Sequence, residues 1–288
     1  MTDVPPPVPK LDARELLREV NRATGAGLEF VAQAAAGQVG AAFVRWPDGR
    51  DGVLTRGFGS VQDLRRTADV LDAARKLGLP VPRYDLLAEL PGEVGVVQER
   101  LPGNGPAVFD RKLLEAMIDL NARFAGIVAD RTDLPVPPMY LLESGPGFCL
   151  HESLERYDDR TRRLLGWIHE VGHSEPAGMT GDDLVHLDFH TGNVLVDDTG
   201  AITGIVDWDG IGRGDRLFGL VTLRFDASVR LAGTDLTWFD ELLESVLSPA
   251  VLRLYWAHMT LRQVDWSIRH HTSADTDYWL TFVETRID

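Results

Sequence analysis

The segment 186–209 reads HLDFHTGNVLVDDTGAITGIVDWD and constrains the chain more than any other stretch. The apolar run Val194-Leu195-Val196 predicts a short strand, and Ile202 to Val206 predicts a second. The polar stretch Asp197-Asp198-Thr199-Gly200 between them predicts a hairpin turn. With Gly200 near its centre, antiparallel pairing sets Asn193 opposite Asp207, and opposed residues have Cβ atoms roughly 5 Å apart. A carboxamide and a carboxylate held so close can seat one hard cation. Asp188 lies five residues before Asn193, on the loop that enters the first strand.

Phosphoryl transfer to a hydroxyl needs these parts. Mg²⁺ takes oxygen ligands, keeps several waters and is held by one or two carboxylates plus the nucleotide's phosphates. Asn193 and Asp207 are the expected metal ligands. A further carboxylate, near the metal and not bound to it, must orient the acceptor hydroxyl and take its proton, and Asp188 fits that role. The spacing D-x-x-x-x-N, then a hairpin ending in Asp, is the pattern of a kinase catalytic loop followed by its metal-binding Asp.

The residues His186-Leu187-Asp188-Phe189-His190-Thr191-Gly192-Asn193 resemble the H-G-D-x-H-x-G-N loop of the aminoglycoside phosphotransferase and choline kinase family. Ile205-Val206-Asp207-Trp208-Asp209 resembles that family's I-x-D-W-[DE] segment. The chain departs from the pattern at Leu187, commonly Gly, and at Thr191, commonly Pro. The resemblance implies an α+β, two-lobed protein-kinase-like fold. A small N-terminal β-sheet lobe with one main helix would bind the nucleotide (1–100), and a larger helical lobe would carry catalysis and the acceptor (101–288). It implies ATP (or GTP) and Mg²⁺ as cofactors, with Asp188 as catalytic base.

The chain order supplies further expectations. Residues 1–10 are Pro-rich and 11–23 has helical spacing. Strands are expected over 28–36, 41–46, 52–58 and 94–98, and helices over 61–77, 110–127 and 160–173. Gly37 and Gly40 bound a turn able to lay backbone N–H groups over phosphates. Aligning Val53-Leu54-Thr55-Arg56 with the family's V-A-I-K sets Arg56 at the phosphate-gripping position, with Thr55 the alternative register. The Glu that pairs with that Lys falls at Thr67, and Asp63 or Asp69 would compensate. Gln98, Glu99 and Leu101 resemble the hinge whose backbone pairs with adenine. Downstream, GIGRGDRLFG (210–219) keeps Asp215 of the family's loop. A later family Asp falls at Gly219, so any support it gives the catalytic loop must come from elsewhere.

Closing helices are expected over 220–231, 238–247 and 250–269. Trp238, Trp256, Trp266 and Trp279 are read as core, with acceptor stacking as the alternative. His169 and His173 are read as solvated or capping residues. Asp209 and Asp265 are candidate acceptor ligands on the acid-rich C-terminal half.

A net charge of −15 disfavours nucleic acid and anionic membrane surfaces as partners and favours a small cationic acceptor. The lone Cys149 excludes an internal disulfide framework. Neither a cationic-then-apolar leader nor a run of ~18 apolar residues is present, so a cytoplasmic monomer is expected. Within the resemblance, aminoglycosides and cyclic peptides of the viomycin and capreomycin type suit an acidic enzyme. A metabolite kinase (choline, homoserine or sugar) and a nucleotide-binding pseudokinase are the alternatives.

Overall fold

The computed structural model describes residues 5–6, 9–34, 40–174 and 178–287. Its folded elements begin with α1 (Ala13–Thr24), whose N-terminus is capped by Asp12 and whose C-terminus is closed by Gly25 at φ 68°. Strands β1 (Glu29–Gln33), β2 (Ala42–Arg45) and β3 (Asp51–Gly57) follow, then helix α2 (Val61–Lys76). Ser60 and Asp63 form a reciprocal capping box at the start of α2. Strands β4 (Tyr84–Leu90) and β5 (Glu93–Glu99) complete a five-stranded antiparallel sheet in the order β1-β2-β3-β5-β4. β4 escaped the sequence reading because its alternation breaks: the pairing shifts by one between Tyr84 and Leu86.

The two faces of this sheet have different covers. Leu16, Leu17 and Val20 of α1 pack with Val44, Leu54 and Val97 on one face. Leu64 of α2 packs with Val94 and Val96 on the other, flanked by Tyr84 and Leu87. Side chains alternate along a strand, so neighbours in sequence answer to different helices.

Helix α3 (Arg111–Ala122), N-capped by Asp110, is shorter than its apolar spacing suggests, and turns fill the rest of the expected span. Helices α4 (His151–Tyr157) and α5 (Asp159–Ser174) follow. Two small antiparallel pairs come next: β6 (Asp183–Val185) with β9 (Gly212–Gly214), and β7 (Val194–Val196) with β8 (Ile202–Ile205). Helices α6 (Leu217–Arg230), α7 (Thr237–Val246), α8 (Pro249–His270) and α9 (Ser273–Glu284) end the chain.

These elements form two compact units. One comprises 9–135 and 182–219, and so holds the five-stranded sheet together with both small strand pairs. The other comprises 1–8, 136–181 and 220–288 and is helical. In the helical unit Trp256 and Trp279 are buried and pack on Phe225, as core residues do. His173 is exposed, as expected, whereas His169 is partly buried: its Nε2 lies 3.1 Å from Nδ1 of buried His151, whose Nε2 donates to the Tyr140 carbonyl (2.8 Å). Cys149 is buried, and desolvation pushes its thiol up. No helix among the described residues is long and apolar enough to cross a membrane.

Candidate active site

The β7–β8 hairpin forms where its sequence predicts, with a one-residue correction. Asp197 Oδ1 accepts from the Thr199 and Ala201 amides (2.8 and 3.0 Å), and Gly200 takes φ 81°. Val194 pairs with Ile205 and Leu195 with Gly204. An irregularity then shifts the register before Val196 meets Ile202. Asn193 therefore lies opposite Val206, whose N–H donates to its carbonyl (2.9 Å), and not opposite Asp207. The symmetric-turn assumption missed this shift. Asp207 is one residue further on and has φ 64°, one of three described non-glycine residues with positive φ. Such a backbone costs about 1–3 kcal/mol and persists where the surroundings impose it, commonly at functional sites.

His186 holds the two arms of the site together. Its Nδ1 accepts from the Asp188 N–H (3.1 Å) and its Nε2 donates to the Val206 carbonyl (3.0 Å). Those partners assign the neutral Nε2–H tautomer. The ring also packs on Trp208, with centroids 4.5 Å apart. Asn193 Nδ2 donates to the Asp188 carbonyl (2.9 Å) and lies 3.4 Å from Asp188 Oδ2. His190 Nδ1 accepts from Gly192 N–H (3.0 Å), which leaves its Nε2–H facing Asp188 Oδ2 at 3.3 Å. The Asp188 carboxylate is thus held from two sides while about a third of it stays exposed.

With Nδ2 committed to Asp188, Oδ1 is the end of the Asn193 amide that a hard cation would take. Asp207 is exposed and supplies a carboxylate. One amide oxygen and one carboxylate suit Mg²⁺, which keeps waters and leans on phosphate oxygens for the rest of its shell. Asp209 is half-buried, and desolvation first, then the Asp207 charge, pushes its carboxyl up to about 7. Tyr84 of β4 feels both acids: burial first, then Asp209 and Asp207, push its phenol well up. Tyr84 was not among the expected site residues, because no strand was expected there.

Tyr84 also identifies which sheet face is turned to these acids. It pairs with Gln98, which pairs with Val53. Thr55 pairs with Val96 on this same α2-covered face. Arg56 instead pairs with Gly95, where an added Cβ would run into Val20 of α1. Its Nε lies 2.5 Å from Glu93 Oε2 on the α1 face. The expectation that Arg56 grips phosphate is corrected accordingly: it shares a face with Leu54, as expected, but that face belongs to α1. Thr55 lies on the same face of β3 as Val53, the residue in register with Gln98 and Tyr84. Thr67 is buried on α2. Asp63 does not compensate for Arg56, since it caps α2 and pairs with Arg66.

The segment after β5 is fastened to the hairpin. Asn104 and Val196 exchange both backbone hydrogen bonds (3.0 and 2.8 Å), and Thr203 Oγ1 donates to the Pro102 carbonyl (2.7 Å). Gly103 has φ 96°, and a Cβ there would lie 2.6 Å from the Val196 oxygen. A Cβ at Gly204 would meet Leu101 Cδ1 at 2.9 Å. The Glu99 N–H is already spent on the Arg83 carbonyl (2.8 Å), and Arg75 Nη1 reaches the Glu99 carboxylate (2.7 Å). Adenine pairing through the Glu99 N–H is therefore excluded. Gln98 is buried and Leu101 partly buried against the hairpin.

Gly40, at φ 96°, lies against Gln33 and Leu11. Gly37 lies outside the described residues. Asp265 is corrected: it is fully buried, accepts from Ser153 Oγ (2.6 Å) and is held bidentately by Arg269 (2.8 and 3.0 Å). A carboxylate so engaged is structural.

The model of the phosphotransferase enzyme family matches residues 31–248. No curated protein matches the chain. Among solved structures, a thermostable mutant of aminoglycoside phosphotransferase APH(4)-Ia, in ternary complex with ADP and hygromycin B, superimposes with a TM-score of 0.64. That match has 18% identity and covers 95% of this chain and 97% of that one. An aminoglycoside-3'-phosphotransferase of type VIII gives 0.58 at 20% identity, covering 84% and 99%. APH(2")-IIia, in complex with GDP and kanamycin, gives 0.59 at 12% identity, covering 94% and 97%. The fold is the mixed α+β, kinase-like one.

Proposed function

This chain belongs to the phosphotransferase enzyme family, and on that premise we propose that it transfers the γ-phosphoryl group of ATP or GTP to a hydroxyl of a small cationic antibiotic. The acceptor class is an aminoglycoside or a tuberactinomycin-type cyclic peptide such as capreomycin or viomycin, and modification would inactivate it. The observation that carries the reading is the paired anchoring of Asp188 by Asn193 and His190, with His186 tying that loop to Val206, the residue before Asp207. Supporting it, two structurally similar phosphotransferases are described with a nucleotide and an aminoglycoside bound together. The net charge of −15 draws a polycation and raises its on-rate.

In this reading the segment 1–100 serves the nucleotide, and 101–288 serves catalysis and the acceptor. Asn193 Oδ1 and Asp207 would hold Mg²⁺, whose charge would offset the negative charge developing on the transferred phosphoryl group. Asp188 orients the acceptor hydroxyl and accepts its proton. Asn193 Nδ2 and His190 Nε2–H keep that carboxylate aimed. Backbone groups at Leu101 and the Glu99 carbonyl meet the base, with Gln98 and Thr55 on the adjoining sheet face. Asp209 stands beside Asp207 as an acceptor-side acid.

The test is turnover of Mg·ATP and Mg·GTP with aminoglycosides, cyclic peptides, choline, homoserine and sugars, read as acceptor-dependent release of nucleoside diphosphate. Transfer to a cationic antibiotic alone is the expected result, and transfer to a metabolite alone would overturn it. One observation favours a second reading, a nucleotide-binding regulator without transfer: Thr55 and Thr67 stand where an ion pair would steady the phosphates. Nucleotide binding with no acceptor turned over would select it.

A further inference from the structure

We propose that Asn121 of α3 is a positioning residue for the Asp188 loop; its catalytic consequence rests on the phosphotransferase reading above. Asn121 is 1% exposed in the sheet-bearing unit. Its Nδ2 donates to the Arg216 carbonyl (2.9 Å), which also accepts the Gly219 N–H (2.9 Å) at the start of α6. Its Oδ1 is buried without a hydrogen-bond partner among the described residues. Unsatisfied buried polar atoms are few in native proteins, and each calls for a reason. A leucine has the same side-chain branching and no polar atom to leave unsatisfied, so apolar packing alone does not explain the amide.

Its surroundings supply the reason. A Cβ built at Gly219 would lie 2.8 Å from Asn121 Nδ2 and 3.3 Å from the Phe189 Cβ. Gly219 is therefore a hollow in α6 that the Asn121 amide enters, against the residue next to Asp188. One turn further along the chain, Phe124 packs edge-on against Phe189 and Trp208, with centroids 5.7 and 5.8 Å apart. Phe189 and Trp208 are the immediate neighbours of Asp188 and Asp207 in sequence. The end of α3 and the turn after it thus back the neighbours of both acids, and Asn121 is the polar tie to α6. The support that a side chain at position 219 would give comes from another helix.

Three full-length variants test this. Asn121→Leu keeps the branching of the side chain and removes both the tie and the orphaned oxygen. We expect its melting temperature to hold or rise while kcat falls about a hundredfold, the scale of an ångström-sized misplacement. KM for nucleotide should stay within a few-fold. Gly219→Ala, which pushes on the amide, should reproduce the loss. Asn121→Ala with Gly219→Asn, which returns the amide from the other helix, should recover most of kcat. Hydrogen exchange of the 186–193 amides should quicken in Asn121→Leu and revert in the double variant.

An undiminished kcat in Asn121→Leu, or losses that merely follow melting temperature, would overturn the proposal. If the parent transfers phosphate to no acceptor, the functional reading fails. The exchange comparison still decides the role of Asn121: unchanged exchange in Asn121→Leu rejects it.

Discussion

Asn193 is bonded to the residue it serves: its side-chain N–H donates to the backbone carbonyl of Asp188 at 2.9 Å and stands 3.4 Å from that residue's carboxylate. One amide thus fixes the position of the proposed base and, through its other end, would offer an oxygen to a metal. The two roles expected of separate residues are mechanically joined.

Asp188→Asn removes the proposed proton acceptor and keeps the size and the backbone bonds. General-base assistance contributes about 10²–10⁴-fold, so kcat should fall by that order. Calorimetric titration should find Mg·nucleotide affinity within a few-fold of the parent. Lost affinity with transfer preserved would reverse the assignment.

His186→Phe conserves the ring against Trp208 and removes two hydrogen bonds at once. The Asp188 N–H and the Val206 carbonyl lose their partners, at about 1–3 kcal/mol for each group left buried and unsatisfied. Denaturant melts should show a loss of that size, and kcat should fall more than nucleotide affinity, since the loop and the segment after β8 that carries Asp207 are no longer joined.

Arg56→Ala separates the two faces of the sheet. Because Arg56 pairs with Glu93 on the α1 face, nucleotide affinity should stay within about twofold. The stability cost should be under about 1 kcal/mol, as for other partly exposed ion pairs. A tenfold weakening of nucleotide binding would show that Arg56 reaches the phosphates.

Gly103→Ala and Gly92→Ala differ in surroundings and little in backbone, with φ 96° and 85°. No atom of the described residues lies within 4 Å of a Cβ at Gly92, whereas one at Gly103 meets the Val196 carbonyl. Gly92→Ala should cost about 1–2 kcal/mol, the left-handed penalty alone. Gly103→Ala should cost clearly more in the same denaturant melt and should weaken nucleotide binding by shifting the segment after β5.

His258 links stability to pH. It is buried, its Nδ1 donates to the Met139 carbonyl at 2.6 Å, and desolvation pushes its pKa down to about 4. The unfolded imidazole, near 6.5, takes a proton that the native one refuses. Its contribution is therefore fully present above about pH 6.5 and is lost as pH falls toward 4, on the order of 3 kcal/mol in all. His258→Asn should flatten the fall in stability across that interval, measured by denaturant titration at stepped pH.

Much of the site was legible because it is local. Asp188, Asn193 and Asp207 lie within twenty residues, and the turn at Asp197 to Gly200 announces the hairpin that carries the last two. Hydrophobic spacing likewise located α2, and Ser60 and Asp63 mark its start. What could not be read depends on partners distant in the chain. Arg56 and Thr55 are adjacent on one strand, and only the placement of α1 and α2 decides which of them lies on the same sheet face as Tyr84. Asp265 and Asp209 are both acids near apolar residues, and burial against Arg269 and Ser153 makes one structural.

By itself the chain determined its chemistry: oxygen-bearing side chains at fixed separations along one ribbon, with turn residues that oblige the ribbon to fold back. Tertiary structure decided the register to one residue, the face of each sheet side chain and the entry of Asn121 into the hollow at Gly219. Short-range spacing constrains which groups can meet along a hairpin, whereas facing and burial follow from where separate helices pack.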